Sequence, residues 1–421
     1  MISVFLNKKY FYFVIFIIMF ALPLVFTGVV VWIDLPNLVN EKYYLLNFAC
    51  GLLVIFFFFF FELDKNALNK LWSNLVLRFL VALYILMMVY LLLFYIVGPF
   101  NSNGLIFSQT FFLIYYSLIN LLLFVAFFKY FYFRESKSKL FFLLFFMLFF
   151  VAATMFLNIK YSGGMLFNVN DYLDQDYFLN YQLISFYALL IWFVIYYFIN
   201  SFFVKYFSIV LVMVILFLSG GRTELFAFIL VFLGVLLMKT FVHRSGIKIF
   251  LSTIFSIIVL LFITSFYFDF NELFKTRHFV GLMNIFNSDS VVTDNSLDAR
   301  DNILVNNLLL IDKNVLLGNY GSHFSSGSVG GYIHNLLSAW QQFGLLGFIL
   351  LFFLIAYPFY FFLMKYLSCR ACNYYEPLFF IASYVLLVML FTKSVFWVYW
   401  VLSPAAYFSY ILYSSKTRVK I

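Results

Sequence analysis

Residues 75–98 read LVLRFLVALYILMMVYLLLFYIVG, an apolar run whose one charged residue, Arg78, stands near its start. A helix rises about 1.5 Å per residue, so about 20 apolar residues cross the roughly 30 Å of a bilayer's hydrocarbon. A transmembrane barrel strand instead needs about 10 residues of alternating polarity, and this run does not alternate. It reads as a membrane-spanning helix.

Working outward, the same kind of run recurs along the chain. Spans are expected at roughly 10–32, 43–61, 75–98, 105–128, 140–157, 181–199, 203–219, 223–239, 249–267, 334–364, 377–392 and 395–413. The composition agrees, with 66% hydrophobic residues, 10% charged residues and a mean hydropathy of +1.04 over 421 residues. Soluble domains average about 45–50% apolar and about 25% charged, so a soluble enzyme, a disulfide scaffold and a disordered polymer are all excluded. The expected fold is all-α, a polytopic bundle of about 12 transmembrane helices. The first span follows Lys8 and Lys9 but is too long for a signal peptide and lacks a small-residue cleavage site, so it reads as an anchor.

Lysine and arginine set the orientation. With the N-terminus cytoplasmic, 18 of the 26 basic residues fall on the inner side, against 4 of the 17 acidic ones (Glu62, Asp64, Glu135 and Glu376). The outer side is left with more acid than base, as the positive-inside rule requires. Both termini are then cytoplasmic. The net charge of +9 is spread thinly between apolar runs and does not point to nucleic acid.

Three sections follow: helices in 1–267, a large outer loop over 268–333, and the last helices in 334–421. The loop is the longest polar stretch, and Ile303, Leu304, Leu308, Leu309 and Leu310 give it helical patterning. Loops beyond about 12–15 residues are usually functional or disordered, and this one is expected to fold over the bundle. Cys369 and Cys372 form a C-x-x-C without a second ligand pair or a thioredoxin-like context. Asp171, Asp174 and Asp176 lack the spacing and glycine of a calcium loop. Gly163-Gly164 and Gly330-Gly331 lack a phosphate-loop pattern, and no zinc spacing is present.

Chemistry concentrates at three places. Arg222 stands in Ser219-Gly220-Gly221-Arg222-Thr223-Glu224, a turn in which Thr223 or Ser219 is expected to cap the next helix. Its alternatives are a guanidinium snorkelling to headgroups or one kept for function, since intramembrane charge costs about 2.5–3.5 kcal/mol. Arg300 lies between Asp298 and Asp301. A solvated ion pair competes there with a forked cation that, joined by a second, would grip a diphosphate. His334 opens an apolar run, and at helical spacing it shares a face with Ser338 and with Gln341 or Gln342. Either loop carbonyls satisfy it or the polar stripe lines a wet or ligand-filled cavity. His323, His278 and His243 are weaker candidates.

Taken together, Arg300, Gly318-Asn319-Tyr320-Gly321-Ser322-His323-Phe324, His334-Asn335 and Gly344-Leu345-Leu346-Gly347 resemble the large periplasmic loop and following helix of O-antigen polymerases and the related O-antigen ligases. The Ser219–Glu224 turn resembles the earlier Ser-Gly-x-Arg-Thr turn of that superfamily. The motifs cover about a sixth of the chain, in matching order and on the expected membrane side.

The resemblance implies a metal-independent glycosyltransferase with a GT-C-like fold in the bacterial inner membrane, without a cofactor, acting in lipopolysaccharide biosynthesis on the periplasmic face. The donor would be a glycan on undecaprenyl diphosphate and the acceptor a second lipid-linked repeat unit. A chain-length regulator and a flippase are the expected partners besides the bilayer. By the resemblance, Arg222 and Arg300 bind the donor diphosphate, and His334 stands at the reaction centre as base or as diphosphate ligand. Glu224 is the second choice of base, and Tyr332, Asn335, Ser338 and His323 are further substrate-contact candidates. A ligase transferring glycan to lipid A–core is the main alternative. A lipid-linked sugar transporter is a weaker one, because transporters favour inverted repeats and midplane ionisable groups.

Overall fold

A computed structural model describes residues 8–30, 38–63, 65–97, 103–132, 141–162, 181–199, 201–243, 295–322, 331–368 and 375–413. Among these residues the regular elements are all helical. Among the described residues six helices are long and apolar enough to cross a bilayer: Lys8–Thr27, Leu75–Ile96, Ser108–Phe131, Tyr181–Phe198, Arg222–Thr240 and Leu337–Ser368. Four shorter apolar helices accompany them, at Leu45–Phe61, Phe141–Leu157, Phe202–Leu218 and Glu376–Phe391. The chain is a multi-pass helical membrane protein. The span expected at 249–267 lies outside the described residues, as does 158–180 beyond the end of one helix at Ser162.

The chain divides into two compact units, 1–53 with 130–294, and 54–129 with 295–421. The first unit opens with α1 (Lys8–Phe16), a π-helical turn (Ile17–Ala21) and α2 (Leu22–Val30). Pro23 explains the π turn. It has no N–H to give, and its ring crowds the carbonyl four residues back, at Met19, so an extra residue is taken into the turn. The N–H of Leu22 accordingly reaches back to the Ile17 carbonyl. Helix α3 (Leu38–Phe61) runs from the first unit into the second.

The second unit continues with α4 (Lys65–Trp72), α5 (Leu75–Val97) and α6 (Asn103–Phe127), the last running into a π turn at Phe128–Tyr132. Asn74 starts α5, its Oδ1 accepting from the N–H of Val76 at 2.9 Å. Back in the first unit, α7 (Phe141–Ser162), α8 (Tyr181–Phe198), α9 (Phe202–Leu218) and α10 (Arg222–His243) pack on one another and on α2. Aromatic rings lock this core. Trp192 of α8 is wholly buried and meets Phe228 and Phe232 of α10 edge-on, at 4.7 and 5.5 Å between ring centroids.

The second unit is completed by α11 (Asn295–Lys313), α12 (Leu337–Ser368), α13 (Glu376–Phe391), a 3-10 turn (Val398–Val401) and α14 (Leu402–Tyr413). Helix α12 packs against α5, α13 and α14, while α6 packs against α5, α14 and the 3-10 turn. The carboxylate of Glu62, just past α3, is ion-paired with Lys129 in the π turn after α6. The same ammonium stands 4.7 Å from the centre of the Tyr413 ring.

Candidate functional site

The candidate residues divide between the two units. Arg222, Thr223 and Glu224 belong to the first, whereas Arg300, Tyr332, His334, Asn335 and Ser338 belong to the second. His323 lies outside the described residues, as do His278, Asp171, Asp174, Asp176 and the Cys369–Cys372 pair.

In the first unit α9 ends on Gly220, whose φ of 75° is a left-handed conformation that only glycine takes cheaply. Gly221 is required for another reason: a Cβ there would come within 2.0 Å of Ser185 Oγ on α8. Ser219 does not cap α10 as expected. Its hydroxyl instead pairs with Ser185 at 2.7 Å, holding the turn against α8, and the first α10 hydrogen bond runs from the Leu225 N–H to the Gly221 carbonyl. Arg222 is half-buried at the start of α10, while Glu224 is 1% exposed in its first turn, where the helix dipole favours a carboxylate.

In the second unit the polar stripe of α12 departs from the expectation. The helix starts at Leu337, so His334 lies in the bend before it and does not share a helical face with Ser338. Asn335 makes the start: its Oδ1 accepts from the Leu337 N–H at 2.9 Å and its carbonyl from the Ser338 N–H at 3.0 Å. Ser338, Gln341 and Gln342 are fully buried and hold neighbouring backbone rather than lining a cavity. The Ser338 hydroxyl donates to the Asn335 carbonyl and accepts from the Val395 N–H, each at 2.7 Å. Gln341 accepts from the Ile333 N–H at 3.0 Å and donates to Asn307 Oδ1 at 2.6 Å and to Ser322 Oγ at 3.2 Å. Gln342 accepts from the Gly321 N–H at 3.0 Å.

The glycine motifs meet at a kink. Gly344 breaks the run of α12 with φ 70° and ψ −173°, and a Cβ there would come within 2.1 Å of the Leu316 carbonyl oxygen. Gly318, also at φ 70°, faces it, and a Cβ on Gly318 would stand 2.5 Å from the Gly344 nitrogen. The turn after α11 and the kink thus clasp backbone to backbone. The Asn319 N–H donates to the Gln341 carbonyl at 2.6 Å, and the Leu345 N–H to the Val315 carbonyl at 3.2 Å.

Around His334 the segment 331–336 is held from two sides. Asn307 of α11, itself buried, donates to the Gly331 carbonyl at 3.0 Å. Arg300 lies seven residues before Asn307 in α11. From the other side comes the turn between α13 and the 3-10 segment. Phe396 packs on Tyr332 with 5.0 Å between ring centroids, and Tyr332 packs on His334 at 5.3 Å. Tyr332 also hydrogen-bonds Ser394; burial raises its phenol pKa and that bond offsets part of the rise. Lys393, absent from the sequence reading, is 5% exposed beside Ser394. One signal pointed to it: a basic residue between two spans on the side expected to be rich in acid.

No family model and no curated protein matches the chain. The class established is therefore that of a multi-pass helical membrane protein, and the residues above carry the functional argument alone.

Proposed function

We propose that the protein is an O-antigen polymerase of the bacterial inner membrane. It transfers the growing glycan from undecaprenyl diphosphate to the sugar of a new lipid-linked repeat unit. In this reading the chain has twelve spans in a GT-C-like arrangement, both termini are cytoplasmic, and the reaction takes place on the periplasmic face.

The observation that most supports the reading is how the loop and helix motifs from Asn295 to Gly347 gather within the second unit, although the Ser219–Glu224 turn belongs to the first. Helix α11, which carries Arg300, is tied through Asn307 to Gly331, three residues before His334. The same Asn307 is bound by Gln341, next to the Gly318–Gly344 clasp. A reaction of this kind needs just such a rigid assembly.

Glycosyl transfer from a lipid diphosphate requires cationic donors preorganised for the charge that grows on the leaving group. Arg300 and Arg222 take that role, each offering a fork that fits a phosphate with two parallel N–H donors. His334 orients or deprotonates the acceptor hydroxyl, or else donates to the diphosphate, with Glu224 as the second base. The acceptor oxygen forms the new glycosidic bond as the bond from the anomeric carbon to the diphosphate oxygen breaks. The acceptor proton leaves to the base, and undecaprenyl diphosphate departs.

The test is reconstitution. Purified protein given lipid-linked repeat units, without ATP or added metal, yields a ladder of glycan lengths. Arg222→Lys and Arg300→Lys keep charge but lose the fork, and a charge-assisted bond of about 1.5–3 kcal/mol corresponds to roughly 10–100-fold in rate. Ladders of normal length from both variants at wild-type abundance overturn the clamp. Loss of the protein in cells leaves single repeats on the lipid A–core; a core carrying no glycan identifies a ligase instead.

A further inference from the structure

The turn after α11 exposes an unusual run of large apolar side chains: Val315 at 40%, Leu316 at 73% and Leu317 at 72%. On α11 before it, exposed Val305, Leu308 and Leu309 alternate with exposed Asn302, Asn306 and Asp312, so the apolar patch proper is the turn itself. Contiguous apolar patches of this kind mark contact with a protein or a membrane.

Depth decides between them. The Tyr90 hydroxyl donates to the Leu317 carbonyl at 2.5 Å, and the Tyr320 hydroxyl pairs with Thr110 at 2.5 Å. Tyr90 lies seven residues from the Val97 end of α5, and Thr110 seven from the Asn103 end of α6, so each is about 10 Å inside its helix end. Helical side chains tilt toward the helix N-terminus, which carries the Tyr90 ring still further from Val97. Helix α5 has 23 residues, about 34 Å, and so extends little beyond a hydrocarbon core of about 30 Å. Its last turns present Leu92, Leu93, Tyr95 and Ile96 at 52–75% exposure, a lipid-facing surface that the turn's leucines continue.

Irregular backbone survives at that depth only when protein satisfies its polar groups. The Val315 and Leu317 carbonyls and the Gly318 N–H meet the condition. The Val315 carbonyl accepts from Trp340 Nε1 at 2.8 Å and from the Leu345 N–H, the Leu317 carbonyl from Tyr90, and the Gly318 N–H donates to the Asn314 carbonyl at 2.8 Å. The polar side of the turn faces protein and its apolar side faces outward.

We infer that the side chains of Val315, Leu316 and Leu317 are immersed in the hydrocarbon of the leaflet that holds the Val97 end of α5. They anchor the α11 cap in the bilayer. The inference is independent of the glycan chemistry and fails separately from it.

A nitroxide placed at Leu316, with Cys50, Cys369 and Cys372 replaced, tests it in phosphatidylcholine nanodiscs. A second label at exposed Lys313 is the reference. Relaxation of the Leu316 label by oxygen, with an oxygen-to-nickel-chelate ratio severalfold above that at Lys313, supports immersion. Relaxation dominated by the water-soluble nickel chelate overturns it, as does exclusion of both agents, which marks a protein partner or a second copy. Should the cysteine-free chain fail to fold, benzoylphenylalanine at Leu316 in the native background decides. A phospholipid adduct on irradiation supports the inference, and a protein adduct or none overturns it.

Discussion

Gln341 ties three parts of the second unit together, with hydrogen bonds to Ile333, Asn307 and Ser322 from a fully buried amide. Gln341→Leu strands a backbone N–H and a side-chain carbonyl, at about 1–3 kcal/mol for each group left unsatisfied. The expected outcome is a clear fall in the thermal midpoint of the detergent-solubilised protein. Sequence could show that Gln341 is polar beside a membrane span, but its partners are supplied by a helix and a loop distant along the chain. The stripe was therefore legible and its purpose was not: it braces backbone where a cavity was expected. Lys393 was missed because a single lysine between spans carries no motif. If it adds charge to the His334 site, Lys393→Gln shortens the glycan ladder while Lys393→Arg largely restores it.

At the scale of elements, hydropathy located several helices, because an uninterrupted apolar run in lipid has no alternative to satisfying its backbone within itself. The span expected at 395–413, however, is a turn and a 3-10 segment followed by a helix of 12 residues. The predicted edges at 75–98, 181–199 and 203–219 match α5, α8 and α9 to within a residue. Interruptions were harder to read. The π turn before Pro23 and the kink at Gly344 depend on tertiary fit, and nothing local to Gly344 announces that Leu316 stands 2.1 Å from where its Cβ would be. Gly344→Ala demands a left-handed residue and removes that space, at about 1–3 kcal/mol for the backbone alone. Reduced yield of folded protein and loss of the ladder are expected, and Gly318→Ala should behave alike. Gly234 is the control, since a Cβ there meets nothing within 4 Å.

For the whole molecule, charge asymmetry gave an orientation, but the division into two units was invisible in a sequence without internal repeats. The Glu62–Lys129 pair beneath Tyr413 fastens three separate parts of the second unit, the ends of α3, α6 and α14. Removing one partner leaves the other charge buried, at about 3–5 kcal/mol, whereas removing both together costs less. Glu62→Leu should thus unfold at lower temperature than Glu62→Leu/Lys129→Met, a comparison that differential scanning fluorimetry can make. The interleaving of the units also bears on biogenesis. Residues 54–129 are synthesised ahead of 130–294, but the helices that complete their unit follow only after that stretch. At about 5–20 residues per second that is a wait of roughly 10–30 s. Throughout it, the faces of α5 and α6 that α12 and α14 later cover stand against acyl chains, and a nascent chain in that condition is a natural client for a membrane chaperone.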